Sequence, residues 1–152
     1  MKRFIIAALA ALLSLTCFAQ SNLNSNADSI LGEYESVQGG DPYKVRVTKN
    51  GDGTYKAQIF WCRDDKDAAG NKKLDVKNPD KSLRNVPSDR IVLFNGLSYN
   101  SAKKVWDGTK IYDPQRGIKA NVTAEFLADG RLQLKGTIMG IGEKVYWTPL
   151  KK

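Results

Sequence analysis

The sequence predicts an all-β protein: a single antiparallel, up-and-down barrel of roughly eight strands with one long loop. Three observations carry this expectation. Apolar and polar residues alternate over most of the chain, as they do on strands whose side chains point to opposite faces with a period of two. Gly, Pro, Asn and Asp recur where the alternating runs end. Helical periodicity is weak beyond the first nineteen residues, so closing a meander on itself is the natural way to remove its unpaired edges.

The chain begins with Lys2-Arg3, an apolar run over 4–15 and the small-residue end Cys17-Phe18-Ala19, the form of an export signal over residues 1–19 cleaved after Ala19. That apolar run is shorter than the roughly 20 residues a bilayer crossing needs. No later segment supplies another, so the mature chain is expected to be soluble, not membrane-spanning, and periplasmic or secreted. A lipid-modified Cys17 is the competing reading, and Thr16 in place of a small residue before it counts against that. Residues 20–29, rich in Asn and Ser, read as a flexible leader. Residues 30–152, about 120 in all, then suffice for one barrel domain with its own core.

The strands follow in order. The first is expected around 31–37. Tyr43, Val45 and Val47 alternate into a turn at Asn50-Gly51-Asp52-Gly53, and Tyr55, Ala57, Ile59 and Trp61 return with the same parity, making a hairpin. Further strands are expected around 90–97 and 104–112. The clearest alternation places Ile118, Ala120, Val122, Ala124 and Phe126 on one face, opposite Lys119, Asn121, Thr123 and Glu125. After a turn at Asp129-Gly130, Leu132, Leu134, Gly136 and Ile138 repeat it, and a last strand is expected around 144–150. The connection over 62–88 exceeds the roughly 12–15 residues at which unstructured connections become uncommon and often functional.

Charge and composition exclude several chemistries. Lys and Arg exceed Asp and Glu by 24 to 16, a net +8 that falls to about +6 once Lys2 and Arg3 leave with the signal. The cations are scattered, and two sets of them sit at strand parity opposite apolar residues, which reads as a solvated outer face. The alternative is attraction to an anionic envelope component; nucleic acid is not expected in that compartment. Having no histidine, the chain lacks the commonest general base near neutral pH and the usual ligand of zinc and copper, so no metal site and no cofactor is expected. Cys62 has no histidine to activate it and stands beside Asp64 and Asp65, so it reads as a structural or surface thiol. Asp65, Asp67 and Gly70 partly follow a calcium-loop spacing, but Ala69 and Val76 occupy two ligand positions. Asp75, Asp80, Asp107 and Asp113 are the carboxylates that could perform acid–base hydrolysis, against a plainer role in turns.

Asp75-Val76-Lys77-Asn78-Pro79-Asp80 followed by Leu83-Arg84 resembles the D-x-K-N-P-D…L-R signature of the bacterial DUF2147 family. Trp106-Asp107-Gly108, Ile111-Tyr112-Asp113-Pro114 and Gly117 resemble its W-x-G…I-Y-x-P-x-x-G segment, and Trp147-Thr148 its closing W-T. One departure stands out: Ala120 occupies a position where that family pattern leads one to expect an aromatic residue. The resemblance implies an exported protein of unassigned activity with a lipocalin-like (calycin) barrel, and Gly32-Glu33-Tyr34 looks like a loose form of the G-x-W element of such barrels.

The aromatic residues read mainly as core. If a ligand binds, the expected site has Trp106 and Tyr112 sharing one strand face with Gly108 and Lys110, and polar contacts from Asn78 and Arg84 on the long loop. No catalytic residue is assigned. Three functions follow as expectations: a non-enzymatic barrel binding a small or lipid-like molecule, an envelope interaction or structural protein using its basic face, or a hydrolase using loop carboxylates.

Overall fold

Strands that carry apolar residues at alternate positions can bury them together only if the sheet curls so that one face turns inward. The computed structural model describes residues 23–151 and shows that arrangement. The strands are β1 (Gly32–Gln38), β2 (Asp41–Lys49), β3 (Tyr55–Cys62), β4 (Val92–Asn100), β5 (Val105–Asp113), β6 (Ile118–Phe126), β7 (Leu132–Ile138) and β8 (Ile141–Pro149). They pair antiparallel in chain order, and the barrel closes where β1 meets β8. The closing seam is short, with Tyr34 opposite Pro149 and Glu35 opposite Thr148. It is reinforced by the Leu150 N–H donating to the Glu33 carbonyl (2.9 Å) and by Ser36 Oγ donating to the Tyr146 carbonyl (2.9 Å). The eight strands and the turns at 50–53 and 129–130 agree with the sequence expectation. The signal expected over 1–19 lies outside the described residues, and among those described no helix is long and apolar enough to cross a membrane.

Two aromatic groups fill different levels of the interior. Trp147, fully buried, stacks on Phe94 (ring centroids 6.1 Å apart) and lies beside Tyr34 (5.9 Å). Trp106, also fully buried, packs edge-on against Phe126 (5.8 Å) and beside Tyr99 (5.2 Å). The second group is sealed by residues that the sequence suggested as leader. Asn26 caps a 3-10 helix, Ala27–Ile30, while Leu23 and Ala27 pack on the core. Asn24 exchanges two hydrogen bonds with the backbone of Phe126 (2.8 and 2.9 Å), and its carbonyl accepts from Tyr99 Oη (2.7 Å). Trp106 Nε1 donates to the Ala27 carbonyl (2.9 Å). From Leu23 onward this segment therefore closes one end of the barrel. Its polar composition misleads because Asn24 bonds the open backbone of the barrel end while Asn26 caps the segment's own helix.

Bulges change which residues face inward, since one extra residue on a strand inverts the parity beyond it. On β3, Lys44 faces Trp61 and Val45 faces Ile59, so Phe60 is the extra residue. Trp61, expected in the core, is instead 39% exposed, with the Lys44 amine 4.9 Å from its ring centre. On β5, Trp106 faces Ala124 while Thr109 faces Val122, so three residues oppose two around Gly108, whose φ of +90° suits glycine.

Candidate functional site

The end of the barrel away from the 3-10 helix is open, and a cavity of about 300 Å³ enters there. Its walls are the inward positions of the later strands, among them Ile111, Ile118, Ala120, Leu134, Gly136 and Val145. Ala120 and Gly136 decide that there is space at all. A Cβ added at Gly136 would lie 3.3 Å from the Cβ of Ala120, so the two smallest wall residues are diagonal neighbours on β6 and β7 where larger side chains would meet. This volume is at the lower end of small-molecule sites, which run to roughly 300–1,000 Å³. A second hollow of about 280 Å³ lies beneath the long loop and shares Gln38, Tyr43 and Leu93 with the first.

Polar groups inside the cavity are few. Tyr43 Oη accepts from Trp147 Nε1 (3.2 Å) and lies beside Ser36, whose hydroxyl donates to the Tyr146 carbonyl. Burial pushes the Tyr43 phenol above its ordinary value and keeps it neutral. At the rim, Arg116 Nε donates to Asp113 (2.6 Å), and its terminal nitrogens grip both oxygens of Glu143, one at 2.9 Å. The guanidinium holds the Glu143 carboxyl below the usual range. Asp113 Oδ1 also accepts from the Gln115 N–H (2.9 Å), so the turn between β5 and β6 is tied to β8.

The long loop is a fixed wall. Asp75, buried, accepts from Tyr112 Oη (2.6 Å) through one oxygen and from Asn78 Nδ2 (2.7 Å) through the other. Arg84 Nε donates to the Asn78 carbonyl (2.8 Å), and the Asp75 N–H donates to the Val86 carbonyl (2.9 Å). Gly117, with φ +67°, lets the β5–β6 turn approach so closely that a Cβ there would fall 2.4 Å from the Lys77 carbonyl oxygen. Of the residues expected to form a ligand site, the structure brings Asn78, Arg84 and Tyr112 together, around Asp75. Trp106 and Lys110 are elsewhere. The expected shared face of Trp106 and Tyr112 is corrected by the β5 bulge: Trp106 faces Ala124, whereas Tyr112 faces Lys119 on the other side of the strand, and Trp106 is at the sealed end. Lys110, opposite Asn121, is exposed on that same outer side.

The other reactive candidates are engaged locally. Asp80 caps the turn at Ser82, whose N–H and hydroxyl hold its carboxyl below the usual range. Asp67 accepts from the Ala69 and Asn71 N–H groups (both 2.9 Å), and Asp65 pairs with Lys72. Cys62 Sγ donates to the Ser88 carbonyl (3.5 Å), and burial, then Asp89 and Asp65, push the thiol up to about 11 from 9.0. The folded protein is therefore expected to react with iodoacetamide at pH 8 about a hundredfold more slowly than the urea-unfolded chain, with the rate rising toward pH 11. Equal rates in a thiol-labelling time course would contradict this.

Sequence reasoning placed Ile118, Ala120, Leu134 and Gly136 on one inward face and Tyr112 at the site, and all of them line the cavity; it missed that these walls leave open space, the part of Tyr43, and the meeting of Asp113 with Arg116 and Glu143. One signal was present: Ala120, small where the family resemblance leads one to expect an aromatic ring, faces the cavity.

Among solved structures, the fold is similar to that of protein HP1028 from the human pathogen Helicobacter pylori, described as belonging to the lipocalin family. The TM-score is 0.63 at 23% sequence identity, with 80% of this chain and 83% of that chain covered. The fold is thus a lipocalin-like barrel. No curated protein matches the sequence. The family model described as "Uncharacterized protein conserved in bacteria (DUF2147)" matches residues 32–149, which include the Asp75 latch, the bulged β5 and Trp147, and the chain belongs to that family.

Proposed function

We propose that this is an exported, non-enzymatic barrel that holds a small apolar or lipid-like molecule in the cavity at its open end, in the periplasm or outside the cell. The observation that carries this reading is the apolar hollow left by Ala120 and Gly136 at the open end of the barrel. The residue pattern of 1–19 supports export. In this reading Asn78, Arg84 and Tyr112 serve the ligand by holding the wall that flanks the mouth, and Trp106 serves it by sealing the far end. Lys110 makes no contact with the ligand.

Replacing Ala120 with tyrosine supplies the aromatic ring expected from the family pattern and fills the cavity. The neutral fluorescent probe N-phenyl-1-naphthylamine is expected to bind the protein, and Ala120→Tyr to weaken it at least about tenfold. Lys110→Ala is expected to leave binding unchanged. A folded Ala120→Tyr variant, with a β-type circular dichroism spectrum and full probe affinity, would rule the cavity out as the site.

A second reading, interaction with an anionic envelope component, draws on the outer face, where Lys44 lies over Trp61, Arg46 over Phe60 and Arg131 over Tyr146. Such binding would weaken steeply with salt and be indifferent to Ala120→Tyr.

A further inference from the structure

Resting on the reading of the cavity as a ligand site, we propose that it takes an amphiphile with a cationic head group, such as an alkylamine, in preference to one ending in a carboxylate or phosphate. The alternation that lines the barrel with apolar side chains ends, at the mouth, in acids. Asp41 faces Gln38 at the β1–β2 hairpin, two positions from the inward Tyr43. Asp113 is two positions from the inward Ile111, and Glu143 stands opposite Gly136 and two positions from Val145. The inward rim positions of the strands thus carry three carboxylates and no lysine or arginine.

The cations that line the two hollows come from turns and the long loop, and each already has a partner. Arg116 is held by Asp113 and Glu143, Lys73 by Asp64, and the Lys77 amine by the Gln115 carbonyl (2.6 Å). Around the two adjoining hollows, carboxylates outnumber cations five to three, a formal charge of −2. Lys135 and Lys144 face each other on the outward side of β7 and β8, one step along the strands from Glu143 but with their side chains outside the barrel. The chain as a whole is basic, but charges beyond about 8 Å are largely screened at physiological salt, so the local excess of acid governs the head group. Deeper in, the walls are apolar, and an incoming carboxylate would lose its hydration there. An alkyl tail in the apolar hollow with an ammonium at Glu143 and Asp41 satisfies both levels.

The test is displacement of N-phenyl-1-naphthylamine from the protein by dodecylamine, dodecanol and dodecanoate at pH 7 and low salt. Dodecylamine is expected to compete at a concentration roughly three- to tenfold below that of dodecanoate, with dodecanol between them. Glu143→Gln, at an exposed position, is expected to shrink that ratio toward one. Equal or tighter binding of dodecanoate overturns the head-group preference while leaving the cavity reading intact. A ratio that Glu143→Gln does not change overturns its electrostatic origin. Failure of the probe and all three amphiphiles to bind overturns the cavity reading itself, and the preference with it.

Discussion

Asp75→Ala is expected to destabilise the fold by about 3 kcal/mol or more, because it strands two buried donors at once. The carboxylate accepts from Tyr112 Oη and from Asn78 Nδ2 through separate oxygens, and it is itself only 4% exposed. Each stranded donor costs roughly 1–3 kcal/mol, whereas a paired bond contributes only about 1 kcal/mol net. Asp75→Asn keeps the shape and one good acceptor and should cost clearly less. Tyr112→Phe, which removes one donor cleanly, should cost roughly 1–2 kcal/mol. Urea titrations read all three, and limited proteolysis should cut the 62–88 connection faster in Asp75→Ala. A change below about 0.5 kcal/mol would show that the loop merely rests on the barrel. The same contact sets a pH dependence. Burial and then Asp75 push the Tyr112 phenol well above its ordinary 10.0, and burial does the same for Tyr34, Tyr43 and Tyr55. The folded state therefore holds phenol protons that the unfolded chain releases above pH 10. Stability is complete below pH 10 and falls as pH rises past it.

Trp106→Ala is expected to cost about 3–5 kcal/mol, the range for deleting a large buried ring. The loss combines a cavity against Tyr99 and Phe126 with the bond from Nε1 to Ala27, which pins the closing segment. Trp106→Phe keeps most of the volume and should cost roughly 1–2 kcal/mol. Because Trp106 is at the sealed end, Trp106→Phe should leave affinity for N-phenyl-1-naphthylamine within about twofold, in contrast to Ala120→Tyr. Hydrogen exchange should report faster opening of residues 23–30 in both Trp106 variants. Tenfold weaker probe binding in folded Trp106→Phe would return this ring to the ligand site.

The strands were legible because alternation is a local property: Ile118, Ala120, Val122, Ala124 and Phe126 can only share a face if that stretch is extended. The latch was half legible. Asn78, Arg84 and Tyr112 stood out together, but Asp75, the partner of Asn78 and Tyr112, read as a candidate acid–base carboxylate or a turn residue, since its meeting with Tyr112, 37 positions along the chain, is a fact of packing. Residues 23–29 read as part of a spacer because they are polar and rich in asparagine, and only the open backbone at Phe126 makes them a seal.

By itself the sequence determined an eight-stranded all-β barrel, the place of the long loop, and the residues by which the family is recognised, all of which rest on period-two patterning and short-range turn chemistry. Tertiary structure alone decided which rings face inward, that the latch braces a wall, and that the open space lies beside Ala120 and Gly136. The physical reason is parity. A single extra residue at Phe60 or near Gly108 reverses every side chain beyond it, and whether a strand accepts that residue depends on how the whole barrel closes.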